Sequence, residues 1–221
     1  MSPLRRPKAH PGPLRIGVFG GAFDPPHKAH VALAQAALEQ LALDQLHVLP
    51  TGVAWHKARA LSAPEHRLAM SRLAFCELHR VVIDEREIQR AGPTFTIDTL
   101  DALQAENAGA ELFLVMGADQ FTALRQWHRW QAIVEVAIIC VADRAINVRA
   151  SGMFDSYGGQ KHRFLSLQMP EWSVSATQVR QLAAAPTAST AELLPLVPAA
   201  VARYIAAQRL YKVDAAAGSS P

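Results

Sequence analysis

The chain has 221 residues, half of them apolar and 19% charged, enough to bury a substantial core in one domain and incompatible with a disordered or collagen-like chain. Its net charge of +3 includes Arg5, Arg6 and Lys8 near the N-terminus, and the other basic residues are scattered, without the aromatic interleaving of a nucleic-acid surface. Two cysteines exclude a disulfide scaffold, and no apolar run approaches the ~20 residues that cross a bilayer.

Residues 1–14 read as a flexible tail, basic and proline-rich, without the apolar segment of a secretory signal. The run RIGVF then ends at Gly20-Gly21, as a buried strand stopped by a turn does. The alanine- and leucine-rich stretch 29–43 predicts a helix, Gln45–Pro50 a second strand, and 64–78 a helix with Ser62 as its cap. A third strand at Val81–Ile83, a helix at Thr96–Glu106 and a fourth strand at Glu111–Met116 follow. A helix over 121–134 leads to 136–141, the most strand-like run in the chain. Residues 147–160 are irregular, 164–167 suit a last strand, and 175–184 and 198–208 suit helices before a disordered end at 213–221. Alternating strands and helices imply right-handed crossovers and a parallel sheet covered on both faces. Cys76 and Cys140 both lie in apolar settings that read as buried and reduced. A cytoplasmic enzyme, with neither membrane nor nucleic acid as partner, is the expectation.

Two segments carry candidate chemistry. The first strand runs into Gly20-Gly21-Ala22-Phe23-Asp24-Pro25-Pro26-His27-Lys28-Ala29-His30 and then a helix. Ligands of parallel sheets collect at the carboxyl ends of strands, beside helix N-termini. There, two glycines let backbone N–H groups approach a phosphate, and two histidines three apart can donate to its oxygens. The glycines are not spaced as the G-x-G-x-x-G of a nicotinamide dehydrogenase, and helical zinc pairs usually sit four apart with a third ligand. Phosphate binding and a tight turn with merely solvated histidines both remain open on these residues alone. The second segment, Val174-Ser175-Ala176-Thr177-Gln178-Val179-Arg180, opens a late helix. Its two hydroxyls and guanidinium can meet one anion, although ordinary capping by Ser175 explains the local pattern more economically.

GGAFDPPHKAH closely resembles the G-G-x-F-D-P-x-H-x-G-H signature of the nucleotidyltransferases with an H-x-G-H motif, with Ala29 where glycine is usual. VSATQVR is similar to their I-S-S-T-x-I-R signature, with Ala176 replacing a serine. Between the two lie Leu49-Pro50 followed by Trp55-His56-Lys57, then Asp84-Glu85-Arg86-Glu87, then GPTFTIDTL from Gly92. Met116-Gly117-Ala118-Asp119, Trp127-His128-Arg129-Trp130 and the C-terminal Val197-Pro198, Tyr204-Ile205 and Leu210-Tyr211 complete the set. Singly these are a solvated charge run, a helix start and core tryptophans; together, over residues 14–212, they resemble the bacterial nicotinate-nucleotide (nicotinate mononucleotide) adenylyltransferases.

That resemblance implies an α/β, Rossmann-like doubly wound parallel sheet with C-terminal helices. It implies an enzyme of NAD biosynthesis, with ATP and nicotinate mononucleotide as partners and deamido-NAD and pyrophosphate as products. His27, His30 and Arg180 are the implied catalytic residues: His30 at the α-phosphate, His27 on neighbouring oxygens. Gly20, Gly21, Phe23 and Asp24 would belong to the ATP site; Ser175, Thr177 and Arg180 would hold the β- and γ-phosphates. Lys57 and Arg67 would add charge near the triphosphate. Trp127 would stack on the nicotinate ring, Thr94 and backbone amides would meet its carboxylate, and Gly117 and Asp119 would lie on the mononucleotide side. Mg²⁺ would arrive with ATP, with no protein metal site, and a homodimer is admitted. The competing readings are an adenylyltransferase for nicotinamide mononucleotide or phosphopantetheine, and an inactive nucleotide-binding regulatory module.

Overall fold

The computed structural model describes residues 12–52, 61–143, 163–187 and 189–212. Six parallel strands form one sheet: β1 (Arg15–Gly21), β2 (Gln45–Pro50), β3 (Val81–Ile83), β4 (Glu111–Met116), β5 (Ala137–Asp143) and β6 (Phe164–Gln168). Their order is β3-β2-β1-β4-β5-β6. Helices α1 (Lys28–Gln40), α2 (Pro64–Phe75), α3 (Arg86–Gln89), α4 (Thr96–Glu106), α5 (Ala118–Ala123), α6 (Trp130–Val136), α7 (Ala176–Ala184), α8 (Thr190–Leu193) and α9 (Ala199–Ala207) connect and follow the strands. The expected α/β, doubly wound parallel sheet is therefore present. None of the described helices is long and apolar enough to cross a membrane. The terminal tails expected at 1–14 and 213–221 lie mostly or wholly outside the described residues.

Successive strand residues point to opposite faces, so the sheet separates two cores. Phe19, Leu46, Val48, Phe113, Val115 and Cys140 face α1, α2, α7 and α9, where Leu33, Leu38, Met70, Phe75, Val179, Val201 and Ile205 cover them. Ile16, Val18, Leu112, Leu114, Met116, Ile139 and Val141 face α4, α5 and α6, and meet Ile97, Leu100, Leu103, Phe121 and Ile133. Both faces are apolar, which is why the strands read as near-continuous hydrophobic runs.

Three expectations change. The single helix over 121–134 is instead α5, a 3₁₀ turn at Leu124–Gln126 and α6, separated where Arg129 takes φ 52°. Ala63, not Ser62, precedes α2, and the Ser62 N–H is directed to Asp24. Cys140 is buried, which pushes its thiol up to about 12, but Cys76 closes α2 and is exposed.

Candidate active site

In this strand order the chain turns one way from β1 and the other way from β4, so a crevice opens between their carboxyl ends. The glycine turn with its histidines leaves β1, and Gly117 with Asp119 leaves β4, placing both expected segments at the switch point.

At the first segment, Gly20 opens onto free space, whereas a side chain at Gly21 would place Cβ only 3.0 Å from the Phe23 ring. Phe23 itself has φ 46°, an unfavourable region for an aromatic residue. Its ring supports that backbone, packing edge-on against Phe19 at 5.4 Å, His30 at 5.1 Å and Phe75 at 5.9 Å. Phe23 is thus a core residue that supports the turn from beneath. The Asp24–Pro25 peptide is cis. His27 caps α1, and its ring stacks on His30 with centroids 3.6 Å apart and planes 18° from parallel. The His27 backbone N–H donates to His30 Nδ1 at 3.1 Å. An acceptor Nδ1 leaves the proton of a neutral imidazole on Nε2, so His30 presents a donor. Ala29 is buried among the α1 side chains of the first core, so its extra methyl packs inward.

The late segment reaches the same place. Ser175 caps α7, its hydroxyl accepting from the Gln178 N–H at 3.2 Å. Arg180 donates to the Thr177 hydroxyl at 2.9 Å and to the Asp24 carbonyl at 2.8 Å, joining the two motifs across 156 residues. Asp24 is 1% exposed, and its carboxylate accepts from Tyr211 Oη at 2.8 Å and from the Ser62 N–H at 3.1 Å. Its side chain therefore braces the turn. Arg67 is tied to the same turn. It is 2% exposed and donates to the carbonyls of Ser62 (3.0 Å), Ala22 (3.2 Å) and Thr51 (2.6 Å). Burial lowers its pKa against the opposing pull of Asp24. Arg67 thus fastens the end of β2 and the start of α2 to the glycine turn through Nε and Nη1. Trp55, His56 and Lys57 lie outside the described residues.

On the other side, Gly117 caps α5 and Asp119 is exposed in its first turn. Trp127 is half-buried at the edge of the second core, and Thr94 directs its hydroxyl to the Glu87 carbonyl at 3.4 Å. The rings of Phe95 and His128 lie 4.3 Å apart, which brings the segments carrying Thr94 and Trp127 together.

The run Asp84-Glu85-Arg86-Glu87 is far from a solvated patch. Asp84 accepts from His47 Nδ1 and Arg86 Nε, both at 2.8 Å, and Arg86 forks onto Glu106 at 3.0 Å. Burial opposes the ionised form of Asp84, but these bonds outweigh it and hold the carboxyl well below its usual range. Glu87 is buried, which pushes it up to about 7 although the Thr99 hydroxyl donates to it at 3.0 Å. Gly52 makes this packing feasible, since a Cβ there would lie 2.1 Å from the Glu87 carbonyl. A cavity of about 620 Å³ lies at the opposite, amino end of β4, rimmed by Asp101, Glu111, Glu135 and Arg163. It is separate from the crevice.

The chain matches the cytidylyltransferase-like family over residues 18–182. It is 53% identical over 198 residues to a protein of Albidiferax ferrireducens named "Probable nicotinate-nucleotide adenylyltransferase", covering 90% of this chain and 98% of that one. A protein of the same name from Methylibium petroleiphilum is 41% identical, with 89% and 92% covered. The fold is similar to that of the Plasmodium falciparum nicotinic acid mononucleotide adenylyltransferase complexed with NaAD, at TM-score 0.73 and 17% identity over 90% and 97% of the two chains. A sheet that turns at β1 and β4, a paired-histidine turn joined by Arg180 to a capped late helix, and relatives matched along almost their whole length agree: the chain belongs to the nicotinate-nucleotide adenylyltransferase family.

Proposed function

We propose that the protein transfers AMP from ATP to nicotinate mononucleotide, giving deamido-NAD and pyrophosphate in NAD biosynthesis. The observation that carries this reading is the 2.8 Å bond from Arg180 to Asp24, which unites the two phosphate motifs beside the stacked histidines. The 5′-phosphate oxygen of the mononucleotide would attack the α-phosphorus in line, forming one P–O bond as the bond to the β-phosphate oxygen breaks and pyrophosphate leaves. That nucleophile is already anionic at neutral pH, so the site needs donors and positive charge more than a general base. His30 Nε2 would donate to the α-phosphate as charge grows there, and His27 to an adjoining oxygen. Ser175, Thr177 and Arg180 would hold the β- and γ-phosphates.

The donor set at the turn, imidazoles, backbone N–H groups and a guanidinium, suits anions. Mg²⁺ fits as a passenger on the triphosphate, held by phosphate oxygens and water, where it would neutralise charge on the leaving group. Trp127 would stack on the pyridine ring, with Thr94 facing its carboxylate and Gly117 and Asp119 the rest of the mononucleotide. We read residues 15–212 as one domain acting in the cytoplasm. Pyrophosphate release from ATP with nicotinate mononucleotide, nicotinamide mononucleotide and phosphopantetheine, each offered separately, tests the reading. Fast release with the first is expected; release only with another acceptor, or with none, overturns it.

A further inference from the structure

We propose that Tyr211 is a positioning residue for adenylyl transfer: through Asp24 it holds the glycine turn and Arg180 in one arrangement. The inference rests on the reading of that turn as the ATP site. Three segments distant in sequence converge on Asp24, whose carboxylate accepts from Tyr211 Oη and the Ser62 N–H while its carbonyl accepts from Arg180. The same residue thus receives the C-terminal turn on its side chain and the late phosphate motif on its backbone. His27, which caps α1 and stacks on His30, follows three residues later. Any shift of Asp24 therefore moves the arginine contact and the histidine pair together, and small misplacements of such groups are costly to rate.

The C-terminal turn is built around this contact. Tyr211 has φ 68°, a backbone region that a residue with an aromatic side chain takes only where its surroundings enforce it. The enforcing contacts are the bond to Asp24 and a seat in the first core, with Oη 3.9 Å from the Met70 sulfur. Burial, and then the neighbouring Asp24 charge, raise the Tyr211 pKa, so the phenol remains a neutral donor across the working range. Phenylalanine would keep the ring in its seat and remove only the hydroxyl, with its bonds to Asp24 and Ser62.

The test compares Tyr211→Phe, Asp24→Ala, the double variant and Leu210→Ala, which thins the packing of the same turn without touching the bond. Readouts are kcat and KM for each substrate, thermal midpoint, and calorimetric affinity for α,β-methylene-ATP. Loss of one hydrogen bond to a charged group should lower kcat/KM for ATP by about tenfold in Tyr211→Phe. Analogue affinity should weaken with it, while the KM for the mononucleotide stays nearly constant. The double variant should be scarcely worse than Asp24→Ala alone, because the tyrosine acts through that carboxylate. Leu210→Ala should lower the thermal midpoint without the bias against ATP. Unchanged ATP parameters in Tyr211→Phe, equal losses for both substrates, or additive effects in the double variant would each overturn the proposal. A wild type that uses a different acceptor would overturn the substrate reading instead and leave this ATP-side comparison in force.

Discussion

Single side chains at the turn divide into those that face the crevice and those that hold it. In the proposed site His30 belongs to the first kind: a backbone donor occupies Nδ1 and the ring of His27 covers one face, which restrains the ring. Replacing it with alanine should cut kcat by about 10²–10³, the usual cost of a lost transition-state donor. Circular dichroism and thermal midpoint should stay near wild type; near-normal turnover would remove His30 from the chemistry. Arg67 belongs to the second kind. Arg67→Met would leave the carbonyls of Ser62, Ala22 and Thr51 without their donor, at roughly 1–3 kcal/mol for each buried acceptor. Its expected signature is a lowered thermal midpoint with both KM values moved alike. A selective rise in the ATP KM at full stability would restore Arg67 to the triphosphate. Sequence reading places both residues beside the phosphates; only the partners of the guanidinium separate them.

Elements carry a second layer of charge that their sequence disguises. Asp84-Glu85-Arg86-Glu87 has the composition of a surface run, yet it links β3 to α3 and buries two of its carboxyl groups. The signal was hydrophobic context: Val81–Ile83 before it and the apolar face of α4 after it leave little room for water. Glu87 predicts a pH effect whose sign is fixed. Its pKa is about 7 in the folded protein against 4.5 in the unfolded chain, so between these values the native state holds the extra proton. Stability from this group is full below pH 4.5, declines as pH rises through that window and is flat beyond it, a loss on the order of 3 kcal/mol. Glu87→Gln keeps an acceptor for Thr99 and never ionises. Urea unfolding of the variant should show higher stability at pH 8 and a flatter profile between pH 4.5 and 7. A variant less stable at pH 8 would mean that Glu87 is ionised and well paired there. The strands and most helices were legible because apolar runs and periodicity report burial directly. The break after α5 was not, because residues 121–134 contain no glycine or proline to announce the left-handed Arg129.

Across the whole molecule, the proposed function divides two binding tasks between the two sides of one crevice. The glycine turn, α1 and α7 rest on the first core, and α5 and Trp127 on the second, with β1 and β4 as the shared wall. Motif order in the sequence pointed to both halves, but not to the long-range bonds that set them: Arg180 and Tyr211 reach Asp24 across 156 and 187 residues. No periodicity encodes such pairs; they follow from the fold that brings the segments together. The division has a measurable consequence. Arg180→Ala should raise the KM for ATP and leave that for nicotinate mononucleotide nearly unchanged, since a forked donor to phosphate is lost on one side only. Trp127→Ala should do the reverse, weakening ring stacking worth roughly 0.5–1.5 kcal/mol beyond the area buried. Stacking is almost indifferent to whether the ring carries a carboxylate or a carboxamide. In the proposed reaction a preference for the acid would come instead from donors aimed at both carboxylate oxygens, where an –NH₂ would face another donor. Trp127→Ala should therefore weaken nicotinate and nicotinamide mononucleotides together and preserve more of their ratio than of their affinity. The two residues share no partner among the described contacts, so their effects on kcat/KM should add in the double variant to within about 0.5 kcal/mol. Steady-state kinetics of both single variants and the double, with each mononucleotide, decide the point. Strong coupling between Arg180 and Trp127, or a wild type indifferent to acid and amide, would show that the halves are not separate and that recognition of the ring is not where Trp127 and Thr94 place it.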